Sequence, residues 1–166
     1  MLRALAEANP DTFAAISRGE NEFRVVIQQS PAWVETGSEL AVDTEHSLRF
    51  VYPRLYPALP LEAYFIRSIL HVNVDPATGF VCLWRSYRPD RTIVDALIVT
   101  RSIMANRTAN WDPIHRMRAD SLALRQGAQV LAMPELLIPD NCRVSSFQPR
   151  PGRQRLSGES LSECQT

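Results

Sequence analysis

The sequence predicts an α+β fold: an N-terminal helix, an antiparallel β-meander, a non-periodic loop carrying a cysteine, and C-terminal helices. Three observations predict it. Apolar residues recur at helical spacing near both ends of the first 125 residues, they alternate with polar ones between residues 23 and 52, and the alternating segments are joined by short links.

Residues 2–18 carry Leu2, Leu5, Ala6, Phe13 and Ile16 on an approximate stripe and are expected to be helical. Asn9-Pro10-Asp11 interrupts them, as a kink or as the cap and first position of a second short helix. Gly19 and Asn21 mark a turn. Phe23, Val25 and Ile27 then alternate with Arg24 and Gln28, as a half-buried strand does. Pro31–Val34 and Leu40–Val42 are weaker strand candidates. Leu48, Phe50 and Tyr52 give a firmer strand, and Tyr64–Ile66 with Ile69–Leu70 a further one. Three prolines within Pro53–Pro60 exclude a helix or central strand, so that segment is a rigid irregular connection with its aromatic rings on the domain.

After the non-periodic stretch His71–Pro89, Thr92–Ala105 places Ile93, Ala96, Leu97, Thr100, Ile103 and Met104 on one face. Thr92 and Asp95 stand in capping-box positions. Asp112-Pro113 starts a second helix through Ile114, Met117, Ser121 and Leu124, with Gly127 as its stop. Val130–Ile138 is apolar between Pro134 and Pro139 and reads equally as strand or short helix. The domain is therefore expected over 1–139, with 140–166 a flexible tail poor in large apolar residues.

Composition narrows the function classes. The chain has 166 residues, 45% of them hydrophobic, enough for one domain with its own core. Eighteen basic and eighteen acidic side chains cancel, so no basic excess suggests nucleic acid. Cys82, Cys142 and Cys164 are too scattered for a disulfide framework or zinc knuckle, and no metal or cofactor is expected. No apolar run approaches the ~18 residues of a membrane span. Glu7 falls where a signal peptide would stay apolar, so the expected location is cytoplasmic.

All eighteen basic residues are arginine. Average usage would supply roughly ten lysines. A GC-rich genome accounts for this, and so does a protein that handles lysine-directed chemistry without offering itself as a substrate.

The chemistry-bearing segment is His71–Leu83. Pro76-Ala77-Thr78-Gly79 is a turn signal, and folding about its middle sets Asn73 opposite Cys82. A carboxamide N–H there could stabilise the oxyanion formed when a cysteine thiolate attacks a carbonyl, an effect of ~3 kcal/mol in acyl transfer. Taken singly, a cysteine between Val81 and Leu83 reads as a small buried hydrophobe, His71 as a structural histidine, and Asn73 as loop chemistry.

Five landmarks between Tyr56 and Ile114 resemble the ubiquitin-conjugating enzyme family, carriers that receive a ubiquitin-like protein as a cysteine thioester. Tyr56-Pro57-Ala58-Leu59-Pro60-Leu61 is similar to the family's Y-P-x-x-P-P, with leucine for the last proline. His71-Val72-Asn73 stands at the interval of H-P-N, with valine for proline. Val81-Cys82-Leu83 fits the catalytic cysteine with one extra residue in the turn. Tyr87–Ile93 resembles W-S-P-x-x-T-I, with Tyr87 sooner after Cys82 than the family's tryptophan, and Asp112-Pro113-Ile114 resembles the later D-P-aliphatic element.

The resemblance implies the ubiquitin-conjugating-enzyme fold, with Cys82 in an active-site loop as thioester nucleophile. It implies that Asn73 stabilises the oxyanion or holds the loop, that His71 orients the loop, and that Asp112 positions an attacking amine. The implied partners are an ATP-using activating enzyme, a ubiquitin-like modifier and a protein substrate. The departures and the arginine usage look like the prokaryotic branch, similar to components of bacterial, in some cases antiphage, conjugation operons. Two other readings stand beside it: a non-catalytic binding module of the same fold, and a cysteine hydrolase pairing Cys82 with His71 or His115.

Overall fold

The computed structural model describes residues 1–37, 39–86, 88–110, 117–118 and 129–142. Helix α1 (Leu2–Ala8) leads into strand β1 (Phe13–Arg18), followed by β2 (Glu22–Ile27), β3 (Ala32–Thr36), β4 (Glu39–Asp43), β5 (His46–Val51), β6 (Glu62–Phe65), the two-residue β7 (Phe80–Val81) and helix α2 (Ile93–Met104). A 3₁₀ turn spans Asp140–Cys142. The main sheet is antiparallel in the order β1-β2-β5-β6-β7, and β3 with β4 forms a separate two-stranded ladder.

The N-terminal helix is shorter than its sequence pattern suggested. It stops at Ala8, and residues 13–18 are a strand rather than more helix. The reason is a β-bulge between Phe13 and Ala15. Phe13 pairs with Ile27 and Ile16 with Val25, so both lie on one face of β1 although they stand three positions apart. A bulge adds one residue to the two-residue period of a strand and so imitates the i, i+3 spacing of a helix. Asn9 fixes the break: its carboxamide donates to the Leu5 and Leu137 carbonyls, both at 2.7 Å, and accepts from the Leu137 amide at 2.7 Å.

Alternation in β2 and β5 puts Val25, Ile27, Leu48 and Phe50 on the inner face, all essentially inaccessible to solvent. Ala63, Phe65 and Val81 extend that face, and Leu2, Leu5, Ile93, Leu97, Ile103 and Met104 from the helices complete one core. On the opposite face, Arg49 lies over the Tyr64 ring at 4.6 Å and Tyr64 meets Phe80 edge-on at 5.5 Å.

The weaker strand candidates form the β3–β4 hairpin between β2 and β5. Ile69–Leu70, expected in a strand, is irregular; the Leu70 amide bonds the Trp33 carbonyl of β3 at 2.7 Å instead. The proline-rich link runs as expected, with Tyr52 edge-on to Tyr56 at 4.9 Å and the Tyr56 hydroxyl donating to the Arg91 carbonyl at 3.1 Å. Its Tyr56–Pro57 bond is cis.

Residues 130–138 are neither strand nor helix. They form an extended strap held by Asn9, by the Leu131 amide on the Ala105 carbonyl at 3.0 Å, and by Arg101 on the Pro134 carbonyl at 2.9 Å. Cys142 is buried beside the Met1 carbonyl, so the first residues assigned to a tail belong to the packed domain. The helix expected after Asp112 and the remainder of the tail lie outside the described residues. No described helix is long and apolar enough to cross a membrane.

Candidate active site

The turn after Val74 is tight because each of its residues has a specific task. The Asp75 carboxylate accepts from the Ala77 amide at 3.0 Å and from the Thr78 hydroxyl, which hold its pKa below the usual range. The Gly79 amide returns to the Asp75 carbonyl at 2.8 Å. Gly79 has a φ of +72°, a left-handed conformation that glycine adopts without strain. A Cβ at this position would also drive into the Phe65 carbonyl, which is where the turn presses against β6.

The fold-back brings Asn73 and Cys82 together. The Cys82 amide donates to the Asn73 carbonyl at 2.7 Å, and the Asn73 Nδ2 donates to the Cys82 carbonyl at 2.9 Å. The Asn73 Oδ1 accepts from the Asn110 amide at 2.8 Å, so one buried carboxamide ties the cysteine strand to the loop after α2.

That loop is set by the two ends of α2. Thr92 and Asp95 form the expected capping box, with the Thr92 amide on the Asp95 carboxylate at 2.8 Å. At the far end, Asn106 has a φ of +57°, its amide bonds the Ile103 carbonyl and the Arg107 amide bonds the Ser102 carbonyl, both at 2.9 Å. This is a Schellman ending with asparagine at the left-handed position. It turns the chain back over His71.

His71 is buried, and its Nδ1 accepts from the Asn73 amide at 3.1 Å. Burial lowers its pKa to about 4, against an opposing pull from the Thr108 backbone and the Asn106 side chain. These groups come close, but Nε2 makes no hydrogen bond of good geometry. A pKa that low makes the buried ring a weak proton acceptor, and its Nδ1 lone pair is already engaged by the Asn73 amide, which weighs against its use as a base.

Cys82 is half-buried and free. It opens on a groove of ≈ 420 Å³ shared with Asn73, Trp84, Arg85, Thr108 and Asn110. Burial pushes its thiol pKa up. Arg91 lies over the Trp84 ring at 5.3 Å, and the indole Nε1 is buried without an acceptor.

Of the residues singled out from sequence, the structure therefore joins Cys82, Asn73 and His71. Asp112, Tyr87 and His115 lie outside the described residues. Sequence reasoning missed Asn106, although an asparagine just after a periodic apolar run is a helix-stop signal. Asn110 and Trp84 carried no such signal. Among the described residues no three His, Cys, Asp or Glu side chains converge on a metal-sized space.

No protein-family model and no curated protein matches the chain. Solved structures do. The ubiquitin-conjugating enzyme Pex4p of H. polymorpha, in complex with the soluble domain of Pex22p, superposes with a TM-score of 0.51 at 18% identity, over 75% of this chain and 82% of that one. The human ubiquitin-conjugating enzyme E2 G1 gives a TM-score of 0.43 at 25% identity, over 63% of this chain and 91% of that one. With this superposition and the antiparallel sheet packed on few helices, the chain has the fold of the ubiquitin-conjugating enzymes.

Proposed function

We propose that the chain is a conjugating enzyme that carries a ubiquitin-like modifier as a thioester on Cys82. The observation that carries this reading is the reciprocal pairing of Asn73 with a half-exposed cysteine at the edge of a groove. The Cys82 thiolate attacks the thioester carbonyl that links the modifier to a cysteine of the activating enzyme. A tetrahedral oxyanion forms and collapses, the activating enzyme's thiolate leaves, and the modifier is now on Cys82. An amine of the target then attacks the new thioester, loses its proton, and expels the Cys82 thiolate as the amide forms. ATP is consumed by the activating enzyme, and this chain takes part without a cofactor of its own.

Asn73 holds the cysteine loop through two bonds, and a carboxamide nitrogen has a second hydrogen to offer the oxyanion. His71 supports the loop. The resemblance of Asp112-Pro113-Ile114 to the family's later D-P-aliphatic element gives Asp112 the task of positioning the amine. The raised thiol pKa leaves Cys82 protonated until a partner takes its proton, which limits unproductive reaction with other electrophiles. The lack of lysine keeps a loaded carrier from discharging onto its own side-chain amines. Arginine usage and the motif departures support a bacterial conjugation pathway, antiphage defence among the settings.

One observation favours a second reading, a binding module for a ubiquitin-like protein: no described side chain is placed as a base for Cys82, and His71 is buried, weakly basic and engaged at Nδ1 by the Asn73 amide. The same fact weighs against a hydrolase, which needs an imidazole available to the sulfur. Intact-mass spectrometry after incubation with ATP, an activating enzyme and its modifier separates the readings. One reducible adduct, replaced by none or by a non-reducible ester in Cys82→Ser, is the expected result. No adduct despite a charged activating enzyme points to the binding module.

A further inference from the structure

The C-terminal end of α2 holds two guanidinium groups that make no ion pair with a carboxylate among the described residues. Arg101, in the last turn of the helix, is only 5% exposed. It donates to the Pro134 carbonyl at 2.9 Å, yet its Nε is buried with no acceptor. No ion pair joins it to an acid among the described residues. The charge that acts on it is another cation, Arg107, which together with the larger effect of burial lowers its pKa to about 10.

Arg107 is exposed, its backbone is held by the Schellman ending, and both arginines line one cavity of ≈ 240 Å³. Ser102 adds a hydroxyl to its wall, Glu135 of the 130–138 strap a carboxylate, and apolar side chains the rest. The helix macrodipole explains a basic residue at this end of α2. It does not explain burying one beside a like charge, which costs stability unless a counter-charge arrives.

We propose that this cavity binds a phosphate oxyanion between Arg101 and Arg107. Guanidinium groups are suited to phosphate because their planar N–H forks match its oxygens. A carboxylate ligand would be satisfied by one fork, whereas two guanidiniums and a hydroxyl around one space suit an anion with several oxygens. Glu135 opposes the anion and keeps the affinity modest. The site is independent of the role given to Cys82, and its ligand is free inorganic phosphate or a phosphorylated side chain.

The test is isothermal titration of the full chain with inorganic phosphate and, separately, with O-phosphoserine, at an ionic strength held constant with sodium chloride. Saturable binding of inorganic phosphate is expected, weakened about tenfold in Arg107→Gln and tightened a few-fold in Glu135→Gln. Both positions are exposed, so neither change disturbs packing. Binding of O-phosphoserine at least as tight as that of phosphate identifies a phosphorylated side chain as the ligand, and phosphate alone identifies the free ion. Absence of saturable heat with either probe, or equal affinity in wild type and Arg107→Gln, overturns the proposal.

Discussion

The carboxamide of Asn73 donates to the carbonyl of Cys82 at 2.9 Å while the Cys82 amide answers to the Asn73 carbonyl at 2.7 Å. With Asn110 on its oxygen, the same side chain has its acceptor and one donor engaged inside the fold. Asn73→Ala should therefore cost about 1–3 kcal/mol, the penalty for leaving buried partners unsatisfied. Urea denaturation measures that loss. If Asn73 also stabilises the oxyanion, single-turnover discharge of a charged chain to free amine should slow by more than the destabilisation accounts for, under conditions where the variant is fully folded. Unchanged discharge would leave it as a loop residue only.

His71 makes stability depend on pH. Its folded pKa of about 4 lies below the ordinary 6.5, so the unfolded chain binds the proton more readily. Stability should be full above pH 6.5 and fall as pH drops toward 4, with a slope approaching about 1.4 kcal/mol per unit. His46, also lowered by burial, acts in the same direction. Chemical denaturation at several pH values should show a shallower slope for His71→Asn, in which the side-chain oxygen can still accept from the Asn73 amide. An unchanged slope would assign the effect to His46.

Alkylation of Cys82 by iodoacetamide should be slow at pH 7.5 in the folded chain and faster in the denatured one, because only the thiolate reacts and burial raises the thiol pKa. Peptide mass spectrometry resolves Cys82 from Cys142 and Cys164. Faster alkylation in the folded state would mean an activating charge near the sulfur.

Gly79→Ala should be among the most damaging substitutions, by roughly 3 kcal/mol or more, since it combines a left-handed φ with a backbone collision at Phe65. Thermal melting reads the stability. Because the turn sets the Asn73–Cys82 register, thioester formation should fall with it.

Asp112→Ala separates two tasks. A pure helix cap would cost about 1 kcal/mol of stability and leave aminolysis at its wild-type rate. A residue that positions the amine would slow aminolysis of the charged chain, with thioester formation intact. Parallel discharge assays with lysine and with a small thiol make the distinction, since a thiol needs no positioned amine.

Much of this architecture was legible in the sequence because it is local. The alternation in residues 23–27 and 48–52, the capping box at Thr92 and Asp95, and the turn at Pro76–Gly79 each rest on a few neighbouring residues. What escaped depends on pairing at a distance. The β1 bulge imitated a helix until Ile27 and Val25 supplied its partners. Ile69–Leu70 looked like a strand, but the bond from Leu70 to Trp33 takes the chain off the sheet. At the site, Cys82 and Asn73 could be placed from one turn. The contribution of Asn110 could not, since thirty-seven positions separate it from Asn73.

The Schellman ending at Asn106 makes the length of α2 a matter of timing around its axis. Each residue of a helix advances the chain by about 100°. Adding or removing a single residue between Ile93 and Met104 would swing Asn106 and Arg107 by that angle, lifting the Asn110 amide away from Asn73 and the guanidinium of Arg107 away from Arg101. The helix thus works as a gauge: its twelve residues fix which way two separate pieces of chemistry point, so α2 should not tolerate the insertion of a single residue.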